Sequence, residues 1–221
     1  MDLEQAIRTR HSVRAYLDSE VPEDEIADIV RVAALAPSSS NVQPWHVAVV
    51  SGAARRKLED ELVAEVTSGT KPYPHFRPGA VGVEGAYMER KRECGFLYYD
   101  ALGIERGDRP ERERVALLNW RFFGAPHAMF VSMPAAMGEV SGLDVGLFLQ
   151  TLMLTIHARG LGCIPQGALA QYPGPVKRLA DIPEGNEILC GLSFGYPDPS
   201  APINDLRMPR KPMGETLSFT R

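Results

Sequence analysis

Between Arg8 and Arg14 the chain reads Arg-Thr-Arg-His-Ser-Val-Arg, which places three guanidinium groups, an imidazole and a hydroxyl within one short stretch. Guanidinium forks match phosphate oxygens bidentately, and the Ser12 hydroxyl adds a neutral donor. If the segment is extended, the alternation of Arg10, Ser12 and Arg14 turns these side chains to one side. The chemistry open to it is anion binding. A solvated basic turn paired with Asp18, Glu20 and Glu23 accounts for the same residues, and the residues alone leave both readings standing.

A second group is Ala36–Trp45, Ala-Pro-Ser-Ser-Ser-Asn-Val-Gln-Pro-Trp. Its hydroxyls and amides both donate and accept, which suits a planar heterocycle, and its prolines stiffen the loop. The competing reading is a polar connection between a helix and a strand. A third group is Gly160–Ala168, Gly-Leu-Gly-Cys-Ile-Pro-Gln-Gly-Ala. Here Gly167 lets backbone approach a ligand, and Gln166 offers both hydrogen-bond types. Gly160 and Gly162 fit a tight corner between a helix and a strand. Cys163 reads as a packed thiol, since no base is evident beside it. The last group is the basic stretch Arg207–Pro212, which either stays solvated or returns to complete an anion site.

Other chemistries fit poorly. Gly191–Gly195 matches G-x-S-x-G, but Tyr-Pro-Asp-Pro follows where a hydrolase needs a helix. All five histidines also precede Ser193, so no base lies downstream of it. Gly79, Gly82 and Gly85 have the wrong spacing for a dinucleotide loop, and no phosphate loop of the G-x-x-x-x-G-K-[ST] type occurs. His and Cys residues lack metal-ligand spacing, so no metal is expected.

These groups must be held by one domain spanning residues 1–221, a size a single core can serve. The net charge of −4 argues against a nucleic-acid surface. No apolar run of membrane-spanning length is read, nor any leader. Three widely spaced cysteines suggest a reducing, cytoplasmic setting. Periodicity predicts helices at Asp2–Arg8, Pro22–Leu35, Ala53–Val66, Gly85–Leu102, Pro110–Arg121, Val145–Arg159 and Val176–Leu179. Strands are expected at His46–Val50, Ala128–Met133, Gly162–Ala168 and Glu187–Tyr196, with a long loop at Thr70–Gly85. Ser141 or Asp144 is expected to cap Val145–Arg159, a helix apolar nearly all round. The whole is an α+β domain with a small mixed sheet wrapped by helices.

Taken together, Arg8–Tyr16, Ala36–Trp45, Gly160–Ala168 and the stretch Phe194–Pro212 resemble the FMN-dependent nitroreductase family over nearly the whole chain. The variable middle segment is 69–124, and its long stretch before Arg121–Pro126 resembles the branch that reduces nitrobenzenes and related nitroaromatics. The resemblance implies an intertwined homodimer, with two FMN groups at its interface and the apolar helix packed between subunits. It implies that Arg10, His11 and Ser12 hold the phosphate and ribityl chain and that Arg210, in the tail 197–221, closes the phosphate site. Arg207 or Lys211 would assist. Arg14 would reach the pyrimidine edge, and Ser38, Ser39 and Asn41 would arrive from the other subunit. Pro165, Gln166 and Gly167 would lie along the ring. No protein residue would be catalytic in its own right: NADH or NADPH would reduce the flavin, and a nitroaromatic would accept electrons in two-electron steps. Alternatives are a same-fold reductase of quinones or enones, or a flavin-binding protein without turnover. Tyr87, Tyr98, Tyr99, Phe122 and Phe123 would line the acceptor pocket or belong to the core.

Overall fold

The computed structural model describes residues 1–76 and 83–221, so Gly79 and Gly82 of the expected loop lie outside the described residues. Helix α1 (Leu3–Thr9) starts where the Asp2 carboxylate accepts the Gln5 amide at 2.8 Å. In α2 (Glu23–Ala33), three carboxylates in the first turn complement the helix dipole, and Ile26, Ile29 and Ala33 form the buried stripe. Strand β1 (His46–Ser51) leads straight into α3 (Gly52–Thr67), which buries Leu58 and Leu62. Helix α4 (Gly85–Ala101) has no fully buried residue. Helix α5 (Arg109–Leu117) is capped by Asp108, begins with Pro110 in its first turn and ends earlier than the expected Arg121. Strand β2 (His127–Pro134) precedes α6 (Glu139–Ala158), β3 (Gly162–Gln166), α7 (Pro173–Leu179) and β4 (Asn186–Gly195).

The strands form one sheet in the order β1-β2-β4-β3. Its neighbours are all antiparallel, with a bulge between Val131 and Ser132. The α+β class therefore holds, but the expected mixed character is confined to one parallel bridge, Ser12 to Cys163. The reason is local: the Arg10–Arg14 segment meets the outer edge of β3 too briefly to make a strand.

Both faces of the sheet are covered. Met129, Val131 and Leu192 face α2 and α6, where Ile29, Phe148, Leu152 and Ile156 complete one core. Ala128, Phe130 and Ile188 face Leu58, Leu62, Phe122, Leu169 and Val176 in the other. Double coverage explains why β2 reads as an unbroken apolar run rather than an alternating one.

Helix α6 begins at Glu139, six positions before the expected start, with Gly138 at its N-cap. Asp144 does not cap it; its carboxylate instead accepts the Ser39 amide at 3.2 Å. Val140–Ala158 is also long and apolar enough, by composition, to span a membrane, contrary to the sequence expectation. Its inner face lies in the core, whereas Val140, Leu143 and Leu147 are 77%, 67% and 42% exposed.

Candidate functional site

The Arg10–Arg14 segment leaves α1 in an extended path along β3. Val13 donates its amide to the Cys163 carbonyl at 3.1 Å, and the Val13 side chain is buried. Close contact depends on Gly162: a Cβ there would lie 2.6 Å from Val13 Cγ2 and 2.9 Å from Pro197 Cγ. With Val13 facing inward, Ser12 and Arg14 are free to face the other way.

The tail is tied to this segment by one residue that sequence reasoning missed. Asn204 is buried, accepts the amides of Arg14 at 2.9 Å and Ala15 at 3.2 Å, and donates to the Ala15 carbonyl at 2.9 Å. It also donates to the Asp198 carbonyl at 3.0 Å. A lone Asn in a proline-rich stretch carries no signal of such a clamp. Arg207 is fixed in turn by donating to the Asn204 carbonyl at 2.7 Å.

The result is a cavity of about 510 Å³ lined by Arg8, Arg10, His11, Ser12, Arg14, Arg207 and Arg210, together with Ile7, Leu206 and Met208. Among the described residues, no carboxylate lines it. Arg8 is occupied by Glu4 at 2.6 Å, so the remaining guanidinium groups carry the field. Lys211 faces elsewhere: its ammonium donates to the Glu215 carbonyl at 2.8 Å, and it lines a smaller neighbouring cavity with Cys94.

Burial and the nearby guanidinium groups both act on two histidines at this end of the chain. His11 donates Nδ1–H to the Thr9 carbonyl at 3.0 Å, since a carbonyl can only accept. Its pKa is lowered, first by burial and then by the nearby Arg207, Arg10 and Arg14, against the raising effect of the Thr9 bond. The neighbouring His157 is lowered by burial, and then by His11, Arg10 and Arg207. Its Nε2 donates to Thr9 Oγ1 at 2.7 Å, because that hydroxyl's own proton goes to the Gln5 carbonyl.

Arg14 lines the cavity, its Nη1 donating to the Ser12 carbonyl at 3.2 Å, and its guanidinium lies 5.0 Å over the Tyr98 ring. Burial lowers its pKa, with Tyr98, Cys94 and Tyr16 opposing. Among the described residues of the middle segment, Tyr98 is thus the aromatic brought against the cavity's residues. Phe122 and Phe123 are core residues, Tyr87 is exposed, and Tyr99 stacks under Arg112.

The other expected site residues stand apart from this cavity. Gln166 is buried and spends both ends of its amide inside, accepting from Ser193 Oγ and donating to the Asn119 carbonyl at 2.8 Å. Its side chain is turned away from solvent, while Pro165 and Gly167 are on the outward side. Ser193 is an ordinary buried strand residue, and burial pushes the Cys163 thiol up to about 12. Ser38, Ser39 and Asn41 sit on a separate loop in which Ser40, Asn41 and Gln43 all have positive φ. The Ser38 hydroxyl holds that loop by accepting the Gln43 amide at 2.9 Å, and Asp144 ties it to α6. Several non-glycine residues in this region are costly and persist only where surroundings enforce them.

Guanidinium groups from both ends of the chain, a free hydroxyl and an absence of carboxylates fit a phosphate monoester. The fold around the site defines the class: the nitroreductase family profile matches residues 7–196, and the chain belongs to that family. Among its relatives is the 4-nitrobenzoate reductase of Pseudomonas putida, 37% identical over 95% of this chain and 92% of its own length. The crystal structure of the FMN-dependent nitroreductase NfnB from Mycobacterium smegmatis, in complex with NADPH, superposes with a TM-score of 0.92 at 37% identity, with 100% of both chains covered. The FMN and NADPH-dependent NfnB of Sphigopyxis sp. strain HMH gives 0.95 at 30% identity, again over 100% of both chains.

Proposed function

We propose that this protein is an FMN-dependent nitroreductase that uses NADH or NADPH to reduce nitroaromatic compounds. The observation that carries the reading is the carboxylate-free cavity in which Arg10 and Ser12 from one end of the chain meet Arg207 and Arg210 from the other. Bound there, FMN would supply two successive two-electron transfers, each drawing on one nicotinamide, the first taking the nitro group to nitroso with loss of water and the second to hydroxylamine. Arg10, Ser12, Arg207 and Arg210 hold the phosphate, and His11 contacts the chain next to it. Arg14, immobilised over Tyr98, stabilises negative charge at the pyrimidine edge of the ring. Pro165 and Gly167 present backbone to the ring, and Gln166 acts by bracing β3 from beneath.

The functional unit in this reading is a homodimer. The exposed stripe Val140, Leu143, Leu147 on α6, together with Leu35 and Val42, exposed on the segment whose Ser39 bonds Asp144 of α6, is what a second copy would cover. The same contact would bring Ser38, Ser39 and Asn41 of one subunit to the cofactor of the other. The three free cysteines accord with a reducing, cytoplasmic setting.

The test is anaerobic. Purified protein with FMN should be yellow, bleach with NADH or NADPH, and recover its colour with a nitroarene. A protein that stays colourless after FMN is added and removed would overturn the cofactor reading. A yellow protein that neither nicotinamide bleaches would overturn the enzymatic one.

A further inference from the structure

Helix α4 has two chemically different sides. Cys94 and Tyr98 face Arg14 and the tail. Arg92, Phe96 and Tyr99 face the other way, into a groove of about 730 Å³ that α5 and the connection through Ile104–Arg106 close. This groove shares no lining residue with the arginine cavity. Phe96 is 56% exposed within it.

Two of the groove's three arginines lie over its rings. The Arg112 guanidinium lies 4.6 Å over the Tyr99 ring and donates to the Arg106 carbonyl at 3.1 Å. Its Nε is buried and has no hydrogen-bond partner. The Arg106 guanidinium lies 5.8 Å over Phe96. Asp100 and Glu105 also border the groove, yet no ion pair within 4.0 Å involves them, Arg92, Arg106 or Arg112 among the described residues. The wall keeps a net positive charge.

We propose that this groove binds a small planar aromatic anion, an aryl carboxylate, separately from the arginine cavity. The ring stacks beside Phe96 and Tyr99, and the carboxylate accepts from the guanidinium edges that stacking leaves free. The inference goes beyond the nitroreductase reading and stands without it.

The test is calorimetric titration of the full-length protein, saturated with FMN, using 2-naphthoate as probe and the neutral 2-naphthamide as comparator. Phe96→Ala and Arg106→Gln are the variants, both at exposed positions, so neither threatens folding. The expected result is saturable naphthoate binding that weakens about tenfold or more in each variant and for the amide. Flavin absorbance and nitroarene reduction should be unchanged in both variants. Absence of saturable binding, equal affinity for the amide, undiminished affinity in the variants, or displacement of FMN by naphthoate would each overturn it.

Discussion

At the residue scale, the chain gathers guanidinium groups around one cavity with no carboxylate among its lining residues. Arg14 is the clearest case, half-buried and stacked on Tyr98 with no carboxylate partner among the described residues. Arg14→Ala should make the flavin midpoint more negative by about 30–65 mV, the equivalent of one charge-assisted hydrogen bond of about 1.5–3 kcal/mol. Spectroelectrochemistry checks this, and an unchanged midpoint rejects the assignment. His11 supplies a second prediction. Burial and the surrounding arginines keep its ring neutral, with a pKa below 6.5. An incoming phosphate reverses the local sign and favours the imidazolium, so the bound-state pKa is the higher one. FMN affinity should therefore rise as pH falls through the bound-state value and level off below the free-state value, approaching about tenfold per pH unit between them. The phosphate's own ionisation is common to both proteins, so the effect is read as the difference between wild type and His11→Asn. Superimposable profiles would sink it.

At the element scale, the site is a product of how closely an extended segment can lie on a strand edge. Gly162 is the position that permits it. Gly162→Ala would drive a methyl group into Val13 and Pro197, which are packed and cannot swing away. The expected cost is about 1–3 kcal/mol in urea denaturation, accompanied by weaker FMN retention because Ser12 and Arg14 move with Val13. A stability loss with intact retention would mean that the basic segment tolerates displacement from β3. The strained loop at Ser40–Gln43 works in the same way, since its geometry is enforced by Ser38 and by Asp144 of α6.

At the scale of the whole molecule, α6 connects core and surface. One side of it carries Phe148, Leu152 and Ile156 in the core, and the other leaves a leucine stripe uncovered. In the proposed homodimer the second subunit would complete the site, so Leu147→Asp, alone or with Leu143→Asp, should shift sedimentation to monomer and lower FMN content together. An aspartate variant that stays dimeric and fully yellow would remove the stripe from the interface.

Much of this was legible in the residues. The apolar periodicity of α2 and α3 and the continuous run of β2 follow from which faces must be buried, and that pattern is written locally. So is the charge of Arg8–Arg14. The start of α6 was not legible, because Asp144 resembles a cap until Ser39 is seen to use it. Nor was the orientation of Gln166, since a polar residue in a strand reads alike whether it meets a ligand or Ser193 beneath the sheet. Sequence by itself determined that guanidinium groups sit near both ends of the chain. Only the tertiary structure decided that they share a cavity, because their meeting depends on Asn204 hydrogen-bonding to backbone 189 positions away, and such long-range contacts leave no periodic trace.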